Sequence, residues 1–473
     1  MRGREIPASA DRSYWYREAR AHAPFEPCPP LQGEVEADVL IVGGGYTGLW
    51  TAWHLTEREP DARVVLLERD LCGAAASGRN GGFLTGWWDD LPDLASRYGM
   101  EPALTACRAL DESVVAIGEW IRERGVDTWH VPAGYLAASS SPAQDGLWRE
   151  ATEAAEAAGS ADAYRELTPE DVRAICDSPA LRGGAFMPAG ATVQPARLGL
   201  ALRAALLERG VKIREGTHVR RLHTREPVLA ETDGGRVRAR RAVVATNAWA
   251  AGWRALRGRL VVRGSYVLVT EPAPERLEEI GWTGGEAITD LRAALFYFRT
   301  TPDGRIAFGG AGRAGLGSKV GSRYDHDPVS MDHVYAGFRR FFPLFDGVGI
   351  TEAWGGAVDV AALHHPVVGT LRGGAVHHAT GYSGNGVAPS HLLGRALAAL
   401  TLHAEDQTLA LPMVGAKAKR FPPEPFRSVG AAIVQSAIMR RERLEDESRR
   451  VGWLTRLLST MPRRMGYALG RSD

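Results

Sequence analysis

Three glycines near the start of the chain have the spacing of a dinucleotide site. Gly43, Gly45 and Gly48 form a GxGxxG motif in "ADVLIVGGGYTGLWTAWHL", between an apolar run and a helical pattern. The first glycine permits a tight turn, the second lets a pyrophosphate approach the backbone, and the third lets helix and strand pack closely. The helix N-terminus then offers amide donors and the positive end of its dipole to phosphates.

A carboxylate follows at the distance that such a site requires. The second apolar run, Val64 to Leu67, ends at Glu68, which lies 20 residues after Gly48. A carboxylate there binds ribose hydroxyls and disfavours a 2′-phosphate, so NADP is not the expected ligand. A glycine-rich turn without a nucleotide is the alternative, but it does not explain the strand, the helix and the carboxylate together. The motif alone leaves both NAD and FAD open.

Two further glycine-rich stretches favour FAD. In "AAASGRNGGF", residues 74–83, bare backbone surrounds Arg79 and Asn80, which we expect to reach a flavin ring. In "GYSGNGVAPS", residues 381–390, a second helix N-terminus begins, with Pro389 in its first turn. Such an end suits the flavin edge that becomes negative on reduction. A bound NAD does not need such a late contact. An NAD-dependent dehydrogenase is the alternative that this stretch argues against.

These stretches, with "ATVQPARLGLALRAALLERGVKIREGT", resemble the D-amino-acid-oxidase-like (DAO) superfamily of FAD-dependent amine oxidoreductases over about residues 30–410. The "SGRNGG" form is most similar to the branch with γ-glutamylputrescine oxidase and aminophosphonate oxidoreductases. The resemblance implies an α/β, Rossmann-like FAD-binding domain and an interleaved α+β substrate domain with an antiparallel sheet. It also implies that an amine or amino acid is oxidised at its C–N bond to an imine by hydride transfer to flavin N5. Hydrolysis of the imine and reoxidation of the flavin by oxygen are expected to follow.

The element pattern divides the chain into interleaved parts. After an irregular lead-in, residues 1–36, the FAD-binding domain takes residues 37–90, 190–255 and 350–412, and the substrate domain takes residues 91–189 and 256–349. A hairpin is expected to turn on Pro302, Asp303 and Gly304. Residues 413–473 form a helical extension whose charges are mixed in sign. We expect it to pack on the body or on a partner subunit rather than on a membrane.

The expected FAD contacts come from the motifs and, by resemblance, from Val219 near the adenine and from residues 245–250. The full set is Gly43, Gly45, Tyr46, Thr47, Gly48, Glu68, Arg69, Ala76, Ser77, Gly78, Arg79, Asn80, Gly81, Gly82, Val219, Ala245, Thr246, Trp249, Gly381, Gly384, Asn385, Gly386 and Val387. Some relatives attach FAD through a cysteine before the late glycine motif, and this chain has none there. Non-covalent FAD is therefore expected, with attachment through His364 or His365 as the alternative.

The candidates for contact with the substrate lie in the second half of the chain. Tyr297 and Arg299 are two apart in the strand pattern "LFYFR", so both side chains share one face. A guanidinium there suits a carboxylate or phosphonate on the substrate; an exposed hairpin face is the alternative. His364 and His365 are candidates for deprotonating the amine, although a structural histidine is the commoner case. Tyr382 is expected to wall the pocket.

Composition excludes several classes of protein. The net charge of +1 over 473 residues gives no bulk field for nucleic acid or an anionic membrane. The four cysteines are scattered, so neither a metal site nor a disulfide framework is expected. No apolar run reaches the ~18 residues of a membrane span, and no signal peptide is evident, so a cytoplasmic location is expected. A homo-oligomer is compatible with the sequence. A flavoprotein with structural or redox-sensing FAD and a partner-binding C-terminal helix is the other functional alternative.

Overall fold

The structure, a computed structural model, describes residues 12–314, 319–447 and 449–468. The first eleven residues of the expected lead-in, and residues 448 and 469–473 of the expected extension, lie outside these ranges. The strands are β1 Gly33–Val42, β2 Val64–Leu67, β3 Phe83–Leu84, β4 Tyr135–Ala138, β5 Arg165–Leu167, β6 Gly184–Met187, β7 Ala191–Thr192, β8 Lys212–Arg214, β9 Val219–His223, β10 Val228–Thr232, β11 Gly235–Val244, β12 Leu260–Thr270, β13 Ala287–Asp290, β14 Phe296–Thr300, β15 Ile306–Ala314, β16 Ile350–Ala361, β17 Val367–Thr370 and β18 Val376–Thr380. The α-helices are α1 Tyr14–His22, α2 Tyr46–Arg58, α3 Leu91–Tyr98, α4 Met100–Arg124, α5 Arg149–Ala157, α6 Pro169–Ile175, α7 Pro195–Glu208, α8 Pro274–Glu279, α9 Pro328–Phe341, α10 Val387–Leu402, α11 Phe426–Asp446 and α12 Trp453–Arg464.

The first sheet has the order β17-β18-β11-β1-β2-β8, extended on one side by β10 and β9. Strands β18, β11, β1, β2 and β8 run parallel to one another, whereas β17 pairs antiparallel with β18 and β10 pairs antiparallel with β11. All four residues of β2 are buried, as expected of a parallel strand with both faces covered. Helices α2, α4, α7 and α10 share one hydrophobic core with this sheet. The predicted Rossmann-like layer is confirmed.

The second sheet has the order β16-β12-β15-β14-β13-β4-β6-β5 and is antiparallel except where β13 pairs with β4. Its outer core is aromatic, with Phe296, Phe298 and Phe308 packed against helix α9. Alternating residues point to the opposite face, toward the first sheet. The pairing of β14 with β15 confirms the hairpin expected at residues 302–304.

The structure moves one predicted boundary. Residues 350–361 were expected in the FAD-binding domain, but β16 pairs along its length with β12, from Thr270↔Ile350 to Leu260↔Ala361. The chain therefore returns to the first sheet only at β17. The sequence pattern of these residues does not reveal which sheet they join. The other domain limits remain predictions.

The two chain ends contain helices. The lead-in was expected to be irregular, yet α1 buries Trp15 and Tyr16, and the Ser13 hydroxyl donates to the carbonyl of Gly78 at 2.8 Å. At the other end α11 and α12 confirm a helical extension. Within the described ranges, the structure contains no helix that is both long and apolar enough to cross a membrane.

Candidate functional site

A cavity of about 630 Å3 lies between the two sheets. Its walls come from the ends of β1 and β2, the N-termini of α2 and α10, residues 74–81, and the inward faces of β12, β14 and β16. The cavity reaches from one sheet to the other. One end lies at the ends of β1 and β2, where the sequence predicts a nucleotide, and the other end lies under the second sheet.

The glycine motif shapes the middle of the cavity. Gly43 has a φ of +113°, and a Cβ on it would collide with the carbonyl of Ala245. A Cβ on Gly48 would collide with the carbonyl of Gly43, so this glycine serves packing and does not line the cavity. Gly45 is the N-cap residue of α2 and has no side chain to bond the helix end, while the first amide, that of Tyr46, donates to Ser77 Oγ. The amides that follow in the first turn are the ones this helix end can offer to a phosphate.

Glu68 is fixed at the nucleotide end of the cavity. One carboxylate oxygen accepts the amide of Gly44 at 2.7 Å, and the other accepts the amide of Asp70 at 2.8 Å. Burial raises the pKa of Glu68, and these two amides oppose that rise. Beside it, the Arg69 guanidinium stacks over Trp249 at 4.6 Å. Val219 completes this end, so the expected adenosine pocket is assembled from four separate segments.

Asn80 braces the glycine-rich loop. Its Nδ2 donates to the carbonyls of Ala76 at 3.0 Å and Ser77 at 2.9 Å, and its Oδ1 accepts the Gly82 amide at 2.7 Å. Both of its N–H groups are thus used inside the loop, while Asn80 still lines the cavity, and its expected contact with the flavin stays a prediction. Ser77 anchors the loop to α2, where its Oγ accepts the Tyr46 amide at 2.9 Å.

Arg79 lines the cavity but is tied to the second domain. Its Nε donates to the Ala74 carbonyl at 3.0 Å, and its Nη1 donates to the Gly355 carbonyl at 3.1 Å and pairs with Asp325. Trp354 returns the contact by donating its indole N–H to the carbonyl of Arg79 at 2.9 Å. These hydrogen bonds hold the loop against β16, and they keep the charge of Arg79 at the cavity wall.

The late glycine motif meets the early one at the other side of the cavity. Tyr382 lines it, and its hydroxyl accepts a hydrogen bond from Thr47 at 2.8 Å. Asp359, which the sequence left unassigned, holds this motif in place by accepting the amide of Gly381 and the side-chain amide of Asn247 at 3.0 Å. Burial raises the pKa of Asp359 to about 7.

Three polar groups on the cavity wall are buried and without a hydrogen-bond partner in the described part of the chain: Thr246 Oγ1, Asn247 Oδ1 and Asn385 Nδ2. Such groups are costly to leave unpaired, so they indicate a polar ligand. Together with the open end of α2 and the fixed carboxylate of Glu68, they fit a dinucleotide that carries a ring with hydrogen-bonding edges.

The cavity wall contains most of the expected cofactor residues. Those that line it are Gly43, Gly45, Tyr46, Thr47, Glu68, Arg69, Ala76, Ser77, Arg79, Asn80, Gly81, Val219, Ala245, Thr246, Trp249, Gly384, Asn385, Gly386 and Val387. Gly48, Gly78, Gly82 and Gly381 do not line it. These four glycines permit close backbone packing: a Cβ on Gly78, for example, would collide with the carbonyl of Gly73.

The two candidates on β14 differ in position. Tyr297 lines the cavity, and its hydroxyl bonds to that of Ser265 at 2.9 Å; burial raises its pKa to about 12. Arg299 is 1% exposed, donates to the carbonyls of Val193 and Thr300, and does not line the cavity. Burial lowers its pKa to about 9. The expected contact between Arg299 and the substrate is wrong, because the segment that carries Val193 covers this part of the strand face.

Arg263 is the cavity-lining cation at this end that the sequence reading missed. It lies two residues before Ser265 on β12, so both side chains share the inward face. The ladder between β12 and β15 is irregular at this point, and Nε of Arg263 donates to the Gly312 carbonyl at 3.1 Å. Alternation along "RLVVRGSYVL" contained the signal, but no motif marked this arginine.

The C-terminal extension reaches the same end of the cavity. Glu442 of α11 accepts the amide of Ala294 at 3.0 Å and lies close enough to Arg263 to act on its charge. Asp446, one turn later, pairs with Arg292. Burial raises the pKa of Glu442 to about 7, and Arg292 opposes that rise. Residues on either side of Ala294 line the cavity, so α11 supports its wall.

The two adjacent histidines have different surroundings. His364 lines the cavity and has a φ of +63°. His365 is 3% exposed, donates from Nδ1 to the Leu363 carbonyl at 3.0 Å, and lies with Nε2 3.6 Å from a carboxylate oxygen of Asp90. His365 does not line the cavity, so its expected role in catalysis is wrong and the structural reading holds. His364 stays a candidate.

Comparison with known proteins identifies the family of this chain. The sequence matches the DAO family, described as FAD dependent oxidoreductase, over residues 38–400. The chain belongs to the DAO family. A gamma-glutamylputrescine oxidoreductase of Escherichia coli (strain K12) is 30% identical over 434 residues, which cover 89% of this chain and 96% of that protein. A probable oxidoreductase OrdL of Rhizobium meliloti (strain 1021) is 29% identical over 399 residues, covering 82% and 88%.

Solved structures show the same fold. Glycine oxidase from Geobacillus kaustophilus superposes with a TM-score of 0.66 at 21% identity, covering 81% of this chain and all of that one. L-Proline dehydrogenase from P.horikoshii superposes with a TM-score of 0.66 at 19% identity, covering 81% and 96%. This DAO-family chain is thus an FAD-dependent oxidoreductase that acts on amines or amino acids. The cofactor is FAD, and the NAD alternative is excluded.

Proposed function

We propose that this enzyme oxidises the C–N bond of an amine that also carries a negatively charged group, with FAD held non-covalently. The observation that carries the proposal is the position of Arg263. It stands on the cavity wall beside Ser265 and Tyr297, at the end opposite Glu68. One continuous cavity thus contains a nucleotide site and a substrate site, and the substrate site has a positive charge on its wall.

The chain's own residues account for how the cofactor is held. Glu68 receives ribose hydroxyls, the open end of α2 receives the pyrophosphate, and Asn385 and Thr246 supply polar groups otherwise left unpaired. The oxidising power at this site would come from bound FAD, as a hydride acceptor. The protein has to bring that carbon close and keep it aligned.

The substrate end supports an amine in its neutral form. Tyr297, Ser265 and Thr289 are hydroxyl-bearing groups in a mostly apolar wall, which favours the uncharged amine over its ammonium form. His364 lines the same cavity and is the residue we assign to take up the amine proton. The product imine is then open to hydrolysis by water.

Arg263 supports the choice of an anionic substrate. Its guanidinium donates from Nε to the protein and has two terminal NH2 groups, a geometry that suits a carboxylate or phosphonate. γ-Glutamylputrescine, after which the E. coli relative is named, is an amine conjugate with a carboxylate, which agrees with this proposal. Oxygen as the electron acceptor, a homo-oligomeric state and a cytoplasmic location remain predictions.

The test is an anaerobic titration of the flavin absorbance. Acidic amines, such as γ-glutamyl conjugates of diamines, N-methyl amino acids and aminophosphonates, are compared with the same amines lacking the acidic group. Bleaching by an acidic member and not by its neutral counterpart supports the proposal. Bleaching by neutral amines alone contradicts the substrate class, and no bleaching by any amine contradicts the proposed reaction. Denaturation with acid, followed by filtration, separates free from attached flavin and tests the non-covalent state.

A further inference from the structure

Exposed apolar side chains are concentrated in the C-terminal helices. In the described ranges, seven of the twelve large hydrophobic residues that are exposed lie between residues 426 and 465, although this segment is a small part of the chain. They are Phe426, Val429, Ile433, Trp453, Leu454, Leu457 and Met465. Clusters of exposed apolar surface on this scale mark interaction sites.

Helix α11 packs on the body through Val434 and Ala437, and it also buries Arg427 and Glu442. A second set of apolar residues lies on its outer side. Its exposed residues Phe426, Val429 and Ile433 are spaced by three and four, which places them on one face directed away from the body. A surface helix normally buries its apolar stripe and exposes its charges. This apolar stripe is therefore available to something outside the described chain.

Helix α12 repeats the arrangement with a stronger contrast. Its buried residues are Ser459 and Pro462, while Trp453 is 77% exposed and Leu454 is 52% exposed. Leu457 lies one turn after Trp453, so the apolar stripe continues along the outer face. Leu458 and Met461, beside these two buried residues, are half-buried.

The apolar stripe of α12 lies in a basic segment. Residues 449–468 contain no Asp or Glu and five arginines, all of them exposed: Arg449, Arg450, Arg456, Arg463 and Arg464. The net charge of the whole chain is only +1, so this charge is local. Arginines flanking exposed tryptophan and leucine are typical of helices that lie in the interface of an anionic bilayer.

We propose that α12 and the outer face of α11 form a docking surface for an anionic phospholipid bilayer. Trp453, Leu454 and Leu457 enter the boundary between headgroups and acyl chains, and the arginines contact lipid phosphates. A second copy of this chain fits less well. A two-fold contact would place the same basic segment against itself, and like charges would face each other.

The test is co-sedimentation of the purified holoenzyme with vesicles of phosphatidylcholine, with and without phosphatidylglycerol. We expect binding that requires phosphatidylglycerol and weakens as salt is raised. Arg456→Gln and Arg464→Gln should each lower the partition coefficient about fivefold, from the usual contribution of one basic residue at such a surface. Trp453→Ala combined with Leu457→Ala should lower it more than tenfold, because ~0.8 kcal/mol is lost per unburied CH2 group.

Matched variants separate a surface effect from a folding effect. Leu147 is 42% exposed and Arg225 is exposed on the first domain, so Leu147→Ala and Arg225→Gln should leave vesicle binding unchanged. The flavin spectrum should be unchanged in every variant. Absence of sedimentation with phosphatidylglycerol vesicles overturns the proposal. So does equal binding to pure phosphatidylcholine, or a dimer by light scattering that Trp453→Ala dissociates while vesicles are not bound.

Discussion

The hydroxyl groups of Thr47 and Tyr382 are hydrogen-bonded at 2.8 Å across 335 residues of sequence. Thr47 belongs to the first turn of α2, and Tyr382 lies in the glycine-rich turn between β18 and α10. The bond therefore joins the early and late glycine motifs at the wall of one cavity. It holds together the two segments, from opposite ends of the chain, that we propose bind FAD.

Tyr382→Phe tests this bond. Thr47 loses its acceptor, and a partly buried hydroxyl is left to find another, at a cost of about 1 kcal/mol. FAD affinity should fall about fivefold to tenfold, measured by titrating the apoprotein with FAD and following flavin fluorescence. Tyr98→Phe removes a half-buried hydroxyl away from the cavity and is the control. Equal effects of the two substitutions would show that the bond has no particular part in the site.

Gly45→Val tests the cradle for the pyrophosphate. A Cβ at Gly45 would lie 3.0 Å from Ser77 Oγ, so the larger side chain pushes into the space that the phosphates need. We expect a folded but colourless protein that stays colourless with added FAD. Gly430→Val, at a site where a Cβ meets nothing within 4 Å, should stay yellow. A yellow Gly45→Val protein contradicts the assignment of this helix end.

Local patterns were sufficient to predict the parts of the site that are continuous in sequence. Strand β2 is followed by Glu68 as expected, the Rossmann-like layer and the hairpin are present, and most of the residues that we propose to bind FAD line one cavity. These features depend on backbone conformation over a few residues. Gly43, for example, has a positive φ, a backbone conformation that favours glycine. A glycine required in this way can be recognised from the motif.

The substrate end depended on information that local patterns do not contain. Tyr297 and Arg299 share a strand face, but only Tyr297 reaches the cavity, because another segment covers Arg299. Arg263 is turned toward the cavity beside an irregular ladder pairing with β15. Glu442 lies in the C-terminal extension, nearly 180 residues after Arg263, and acts on the charge of that arginine. Each of these positions is decided by tertiary packing, and none by spacing along the chain.

Asp359 should make stability fall as pH rises through the weakly acidic range. Its pKa is raised from 3.8 to about 7 by burial, so between these values the folded state holds a proton that the unfolded state has lost. The contribution of Asp359 to the free energy of unfolding is therefore fully present below pH ~4, and it is lost as the pH rises toward ~7. The neutral variant Asp359→Asn should flatten that part of the curve of melting temperature against pH. An unchanged slope would show that the Asp359 carboxylate does not titrate in this range. Glu442→Gln controls for another buried carboxylate, whose pKa is raised to about 7.

Glu442→Ala tests the connection between the C-terminal extension and the substrate end. The amide of Ala294 loses its acceptor, which costs about 1–3 kcal/mol for a buried donor. We expect a raised KM for an acidic amine with a smaller change in kcat, measured in steady state, and a lower melting temperature. Glu442→Gln keeps an acceptor and should restore most of the stability. If neither variant changes KM, α11 does not support the substrate site.

The most direct test of the proposed substrate class is anaerobic reduction of the flavin in Arg263→Met, with an acidic amine and its neutral analogue. The account predicts that the half-saturating concentration of the acidic amine rises by about one to two orders of magnitude, since a charged hydrogen-bond pair contributes about 1.5–3 kcal/mol. The neutral amine and the bound FAD should be unaffected. An unchanged half-saturating concentration for the acidic amine, in a variant that keeps its FAD, would contradict the account.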